Sequence, residues 1–579
     1  MVNKIFNGIK IISLFLFIAI AFVMNGRSFA APAPAVAGGT TCYQVYLPLV
    51  IRAGNPISSD SPASIGGGTL DCSPADPNGL VDFNGDGYAD LAIGIPTEDR
   101  NGLVADNGAI QILYGTADGL NAENNQFWTQ ENILGVSLPD EQFGFALAIG
   151  DFNGDGTSDL AVSSPGEGRD GMTNVGQVDV IYGYPGTGLT DNGTQSFGQS
   201  LNGIGGLAEE GDRFGEALIS GDFNGDGFAD LAVGSSKEDL ESDGITEMGA
   251  VNVIYGSADG LQALDDIIFH HGLESVDLEP ASGDYFGAAL ASEDFDGDGF
   301  DDLAVGIPGY DILGVDNVGA VMVFQGSDAG ISLLGETAWR QGENSVQGNP
   351  EDHDSFGTVL AAGDFDGNGA GDLVVGVPGE DVNNGVGDET DAGAVHVLFG
   401  SAIGGGLSGA NDMILYQGLD GILGAPETLD RLGQALIAAD FNGDGVDDLA
   451  VGVPFQDGDQ LNQGFVQVLY SNGSTLSTDG QDLWAQGLVT GAPEVDDLFG
   501  YTLTAGDYNG DGFTDLVVGA PYEDVLVNAV TETDAGALHV IYGSGSGLTA
   551  VDNQIWYQES TDIPDDSEMN DRFGWALGR

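Results

Sequence analysis

One nine-residue string occurs seven times in this chain, and no other feature constrains the fold as tightly. It reads DFNGDGYAD from Asp82, DFNGDGTSD from Asp151, DFNGDGFAD from Asp222, DFDGDGFDD from Asp294, DFDGNGAGD from Asp364, DFNGDGVDD from Asp440 and DYNGDGFTD from Asp507. Successive copies start 67 to 76 residues apart. Self-similarity at a near-constant period marks a repeat architecture, so the 579 residues are read as copies of one unit rather than as several unrelated domains.

The unit is larger than the string. About eight residues upstream stands a Phe-Gly pair, as in Phe143-Gly144, Phe214-Gly215, Phe286-Gly287, Phe356-Gly357 and Phe499-Gly500, with Leu432-Gly433 as the departure. Downstream comes an apolar run such as Leu91-Ala92-Ile93-Gly94-Ile95-Pro96, a variable loop, and an alternating segment such as Ala109-Ile110-Gln111-Ile112. A Gly-rich turn and an aromatic segment such as Ile555-Trp556-Tyr557 close the unit. Short β-branched and aromatic runs bounded by Gly, Pro and Asp are strands and turns, and no segment shows a helical period. Four short strands per unit, repeated seven times, predict an all-β, seven-bladed propeller of four-stranded antiparallel blades. A solenoid is the other repeat solution, but it needs capping repeats, and none is visible.

The string itself predicts a calcium loop. Asp or Asn at positions 1, 3 and 5 point oxygens inward, Gly at position 6 permits the sharp bend, position 7 offers its carbonyl and Asp at position 9 completes the set. The sets are Asp82, Asn84, Asp86 and Asp90 with Tyr88; Asp151, Asn153, Asp155 and Asp159 with Thr157; Asp222, Asn224, Asp226 and Asp230 with Phe228; and Asp294, Asp296, Asp298 and Asp302 with Phe300. They continue with Asp364, Asp366, Asn368 and Asp372 with Ala370; Asp440, Asn442, Asp444 and Asp448 with Val446; and Asp507, Asn509, Asp511 and Asp515 with Phe513. By residue type the fifth set is the weakest, because Asn368 replaces an acid. All-oxygen donors suit Ca²⁺, and the absence of His and Cys from the strings argues against zinc or copper. A β-run follows position 9 at once, so each loop is expected to join two strands of one blade. About seven Ca²⁺ are expected per chain, in a structural role.

These motifs resemble the FG-GAP repeats of integrin alpha chains: the Phe-Gly pairs, the D-x-[DN]-G-[DN]-G-x-x-D strings and the (I/V)-G-x-P runs, over about residues 78–579. The resemblance implies a calcium-binding propeller head acting in binding or cell adhesion. The same repeats are similar to the propeller of glycosylphosphatidylinositol-specific phospholipase D, where a catalytic domain precedes it. Here about 40 residues lie between the leader and the first repeat, so the resemblance is taken to support the fold and not hydrolysis. A propeller-based hydrolase and a structural surface protein are the alternatives.

Charge narrows the partners. The chain has 91 Asp and Glu against 12 Lys and Arg, a formal net charge of −79. Repulsion excludes nucleic acid and anionic membrane surfaces as partners, and divalent cations are the natural counterions. Adaptation to a salty medium is a second contribution to the acidic excess. The expected ligand is an unidentified protein or glycan surface, bound by variable loops such as Gly379 to Ala392 and Tyr522 to Ala535.

Residues 1–30 read as a secretion signal: Lys4 and Lys10, an apolar run from Ile11 to Val23, and Ser28 and Ala30 at the small-residue positions of a cleavage site. The run is too short to span a membrane, so no span is expected after signal cleavage and the product is expected outside the cell or on its surface. Residues 31–77 read as a short strand and a linker holding the two cysteines, Cys42 and Cys72, which in an exported chain read as a disulfide.

No catalytic motif emerges. His396 and His539 hold equivalent strand positions, and His270 and His271 end a last strand. No nucleophile elbow, His-Glu-x-x-His or phosphate-binding loop is present, and the chain is expected not to be an enzyme. One last expectation concerns closure. The first string lacks a Phe-Gly segment upstream, whereas Phe573-Gly574-Trp575-Ala576-Leu577 has no string after it. The C-terminal segment is therefore expected to supply the missing strand of the first blade.

Overall fold

The computed structural model describes residues 80–578, apart from the short segments 100–105, 135–137, 240–243, 273–277, 313, 384–386, 403–404, 420, 528–529 and 565–566. The secretion signal, the cysteine pair and the linker lie outside the described residues. Seven four-stranded antiparallel sheets form a seven-bladed β-propeller. In the second blade, for example, Leu147–Gly150 is followed by Asp159–Ser164, Gln177–Tyr182 and Thr190–Phe197, paired in that order. The inner strands neighbour one another in sequence around the axis, from Leu147–Gly150 and Ala217–Gly221 onward to Thr502–Gly506.

Burial explains the composition of each strand. The second and third strands are covered on both faces and read as mostly apolar runs, such as Leu91–Ile95 and Ala320–Phe324. The outermost strands, such as Asn121–Trp128, expose their middle residues and turn polar there. The apolar core lies between blades. Phe83, Ile110, Ile112, Phe143, Leu160 and Val162 share one cluster although they come from the first two blades. The Phe-Gly pairs sit in turns immediately before the inner strands, not within them. Phe143 is fully buried and forms a parallel bridge with Gly108 of the preceding blade. Gly108 has φ +79°, and a Cβ there would stand 2.2 Å from the Phe143 carbonyl oxygen, so only glycine allows the blades to meet this closely.

The ring closes as the sequence predicts. Ala576–Leu577 pairs antiparallel with Leu91–Ile95, with Ile93 opposite Leu577 and Gly94 opposite Ala576. The Gly578 N–H donates to the Ala92 carbonyl at 3.0 Å, and the Phe573 N–H donates to the Ala535 carbonyl at 2.9 Å. The sequence pattern missed two small features. A five-residue helix spans Gln130–Leu134, and two variable loops carry two-stranded ribbons, Val382–Asn383 with Asp388–Glu389 and Val525–Val527 with Val530–Glu532.

Candidate calcium loops and the opposite face

Six of the nine-residue strings join the inner strand of a blade to its second strand, and the first leads into the second strand, Leu91–Ile95, of the blade whose inner strand is Ala576–Leu577, so all seven loops stand at one end of the propeller. Their internal hydrogen bonds explain the residue pattern. The position 1 carboxylate gathers backbone N–H groups: Asp82 accepts from Gly85, Asp86 and Gly87 at 2.6, 3.2 and 2.8 Å. The same wrapping recurs at Asp294 and Asp440. The position 5 carboxylate accepts from the N–H of position 7, as Asp226 does from Phe228 at 3.1 Å. The position 9 carboxylate is buried and ties the loop to the rest of the blade: Asp90 accepts from Phe83 N–H at 2.9 Å and from Gly115 N–H at 3.1 Å.

The arrangement gathers carboxylates away from water. Burial first, and the neighbouring loop carboxylates second, push Asp90, Asp159, Asp230 and Asp515 up to about 8 and Asp302, Asp372 and Asp448 up to about 7, against backbone N–H groups that pull the other way. In two loops, Asp294, Asp296 and Asp302, and Asp364, Asp366 and Asp372, one oxygen from each residue lies within 4.8 Å of the others. These are the two loops with Asp at position 3, and the fifth, weakest by residue type, keeps three carboxylates together. Where position 3 is Asn, as at Asn153 and Asn442, its Nδ2 reaches the position 9 carboxylate at 3.2 and 3.1 Å. A half-turn of the amide presents its oxygen there instead. Hard oxygens converging on a point of concentrated negative charge fit a divalent cation of the calcium type.

The loops are also fastened to one another. In all seven, the N–H of position 8 donates to the position 1 carbonyl of the preceding loop, from Ser158 to Asp82 (2.9 Å) round to Ala89 to Asp507 (3.1 Å). The position 7 side chain covers the position 4 glycine of the preceding loop. A Cβ on Gly154 would stand 2.5 Å from the Phe228 ring, and one on Gly510 would stand 2.5 Å from the Tyr88 ring. Position 7 therefore has a packing role that a ligand reading alone misses. At Ala370 the side chain is too short for this, and Ala402 covers Gly297 in its place.

The opposite end carries the Phe-Gly turns and the variable loops. A cavity of about 280 Å³ opens there on the axis, lined in part by Phe145, Thr358, Gln434, Tyr501 and Trp575. Trp575 joins Phe145 and Tyr501 in an aromatic arc, with ring centroids 6.3 and 5.3 Å away. Arg213 lies over Phe145 at 5.3 Å, and Arg572 lies over Tyr522 and Trp575 at 4.9 and 5.4 Å. Leu526 and Val530, on the ribbon beside this arc, are exposed. The histidines of the strands are packing residues: His396 is buried with Nδ1 3.1 Å from Asp412, and His539 is buried against Phe499.

The FG-GAP repeat model matches residues 79–113, 143–181, 214–251, 286–324, 356–398, 432–469 and 499–541, one match per blade. This chain belongs to the FG-GAP repeat family. Among curated FG-GAP relatives, phosphatidylinositol-glycan-specific phospholipase D of Homo sapiens is 34% identical over 237 residues, 41% of this chain and 26% of that protein. Integrin alpha-PS2 of Drosophila melanogaster is 31% identical over 274 residues, 47% of this chain and 18% of that protein. Integrin alpha-5 of Xenopus laevis is 31% identical over 249 residues, 42% of this chain and 21% of that protein. The matched regions thus span about a quarter or less of those relatives. Among solved structures, the Dos1 propeller aligns over 66% of this chain and 78% of its own at 12% identity and a TM-score of 0.31, too distant to add to the assignment. Among the described residues, no helix is long and apolar enough to cross a membrane.

Proposed function

We propose that this chain is a secreted, calcium-stabilised FG-GAP propeller that works as a binding or adhesion module. The observation that carries the reading is the ring of loops, each with a buried position 9 carboxylate, three carboxylates being gathered within 4.8 Å in the fourth and fifth. Residues 82–90 and their six counterparts are the proposed ligands, for about seven Ca²⁺ per chain. The ions hold the loop end rigid, and the opposite end, with its aromatic mouth and variable loops, meets a protein or glycan ligand. The lysine-flanked apolar run at the N-terminus supports export. The integrin relatives support an adhesive role. The phospholipase relatives share the repeat region over only part of their length, and none of the buried histidines has a nucleophile beside it.

Two measurements test the reading. Elemental analysis of the purified chain should find about seven calcium ions, and a count of two or fewer rejects the metal assignment. Capture of protein or glycan ligands on immobilised chain should depend on calcium. Turnover on a lipid or glycan panel, abolished by one carboxylate substitution, would replace the binding module with an enzyme.

A further inference from the structure

Far from the calcium loops, beneath the variable loops, most junctions between blades gather a polar trio whose members are buried or half-buried. Between the sixth and seventh blades it is Gln486, just past the last strand of one blade, with Asp497, two residues before the next Phe-Gly pair, and Glu523, just past the second strand of that next blade. All three are buried. Gln486 Nε2 donates to Glu523 Oε2 at 2.5 Å, while Asp497 Oδ2 accepts from the Glu494 N–H at 2.6 Å. Asp497 and Glu523 also share a side-chain hydrogen bond. Two ionised carboxylates are acceptors only and cannot bond to each other without a proton. Gln486 Oε1 is buried with no donor of its own.

The pattern repeats. Gln199 donates to Glu238 at 2.6 Å beside Asp212, and Gln341 donates to Glu380 at 2.7 Å beside Asp354. Gln130 donates to Glu167 at 3.1 Å. At the closing junction Gln558 donates to Glu98 at 2.7 Å across 460 residues of chain.

We propose that the three junctions pairing Asp212 with Glu238, Asp354 with Glu380 and Asp497 with Glu523 each hold one proton between the two acids in the folded protein at neutral pH, so that the variable-loop end is fastened by carboxyl latches that weaken in alkaline solution. Two junctions of this same chain act as internal controls. Between the third and fourth blades Tyr310 stands where the second acid would be. There His271 supplies the missing donor, its Nε2 2.8 Å from Asp284 Oδ2. Between the fifth and sixth blades Gln456 replaces the acid. The orientation that satisfies Gln417 turns its amide nitrogen to Asp430 Oδ2 at 3.0 Å and to the Ala425 carbonyl at 3.2 Å. A lone acid is met by a side-chain N–H, whereas paired acids have none to spare and need a proton.

The surroundings favour that proton. Asp497 and Glu523 face Glu494 and Asp524; Asp212 and Glu238 face Glu209 and Asp239; Asp354 and Glu380 face Glu351 and Asp381. His396 acts in the other direction at Glu380. Burial, reinforced by these acids, raises Glu523, Glu238 and Asp354 to about 8 and Asp497 and Asp212 to about 6. A carboxyl raised by folding keeps a proton that the unfolded chain has released. These groups therefore lower stability as pH climbs from the unfolded carboxyl range, about 4, through the folded values.

The test compares the full chain with the triple variant E238Q/E380Q/E523Q and with Q456E, by urea midpoints in excess calcium at about pH 5.5 and pH 8.5. The calcium loops are common to all three proteins and cancel in the comparison. The triple variant should match the parent at the lower pH and exceed it at the higher pH, and Q456E should steepen the alkaline loss. A triple variant whose midpoint follows pH in parallel with the parent overturns the proposal. If the triple variant does not fold, infrared absorption of the parent decides. A protonated-carboxyl band at neutral pH, weakened in the single variant E523Q, supports the latches, and its absence overturns them.

Discussion

Phe573→Ala tests how the ring is held shut. Phe573 is fully buried and packs with Ile93, Ile95, Leu538, Val540 and Leu577 in the cluster between the seventh and first blades. The strand that follows it contributes only two paired residues, Ala576 and Leu577. The closing segment is otherwise held by single bonds, such as Thr504 Oγ1 to the Gly578 carbonyl at 2.8 Å and Thr97 Oγ1 to the Asp571 carbonyl at 2.9 Å. Emptying a fully buried phenylalanine site costs about 3–5 kcal/mol. Phe143→Ala at an internal junction, where Phe143 is equally buried, is the matched comparison and should cost about the same. The two should differ in consequence. At the internal junction Leu147–Gly150 runs on through its loop into Asp159–Ser164 of the same blade, which keeps the strand in place. At the closing junction Ala576–Leu577 meets Leu91–Ile95 by pairing alone, with no loop joining them, and its loss leaves Leu91–Ile95 as an unpaired edge, which invites pairing with a second molecule. Urea unfolding followed by tryptophan fluorescence gives the energies, and light scattering after size exclusion gives the oligomeric state. If Phe573→Ala costs less than about 1 kcal/mol and stays monomeric while Phe143→Ala shows the full loss, the closing segment does not hold the ring and the reasoning fails.

Chelation should lower the melting temperature markedly, and calorimetric titration should restore it with added calcium. Asp226→Ala should remove one ion by elemental analysis and lower stability locally without abolishing secretion, because the other six loops remain. Gly176→Ala should prevent normal docking of the second and third blades, because its φ is +88° and a Cβ would stand 2.3 Å from the Phe214 carbonyl oxygen; loss of soluble, protease-resistant protein is the readout. Burial pushes His539 down to about 4 from its usual 6.5. Its contribution is present above the unfolded value and is lost as pH falls through about 6.5 to 4, on the order of 3 kcal/mol. His539→Gln should flatten that acid limb in urea midpoints measured across the window.

Much of the fold is legible in the chain because a propeller blade is built from local pieces. A calcium-type loop needs its oxygens within nine residues, a strand needs a short apolar run, and the Phe-Gly turn precedes the strand it introduces. The unpaired Phe573-Gly574 segment, matched to a first string without one, was enough to place the closing strand opposite Leu91–Ile95. Position 7 was read as a carbonyl donor alone, because its side chain acts on the neighbouring loop, about 70 residues away. In the fifth loop Asn368 replaces an acid, and the backbone still gathers Asp364, Asp366 and Asp372.

The polar trios show where local reading ends. Their members do recur in the sequence, as a Gln after the last strand, an acid two residues before Phe-Gly and a Glu after the second strand. Each alone is an ordinary polar residue in a loop. Only closure of the ring brings Glu98 against Gln558 and removes both from water, and the same closure places Phe145, Tyr501 and Trp575 around one axial mouth. The sequence by itself determined the blade count, the place of each loop in its blade and the closing strand, since these depend on spacings within one unit. The tertiary structure decided which polar groups are buried together and which aromatics share a surface, since desolvation and contact between blades depend on segments that only the assembled ring makes neighbours.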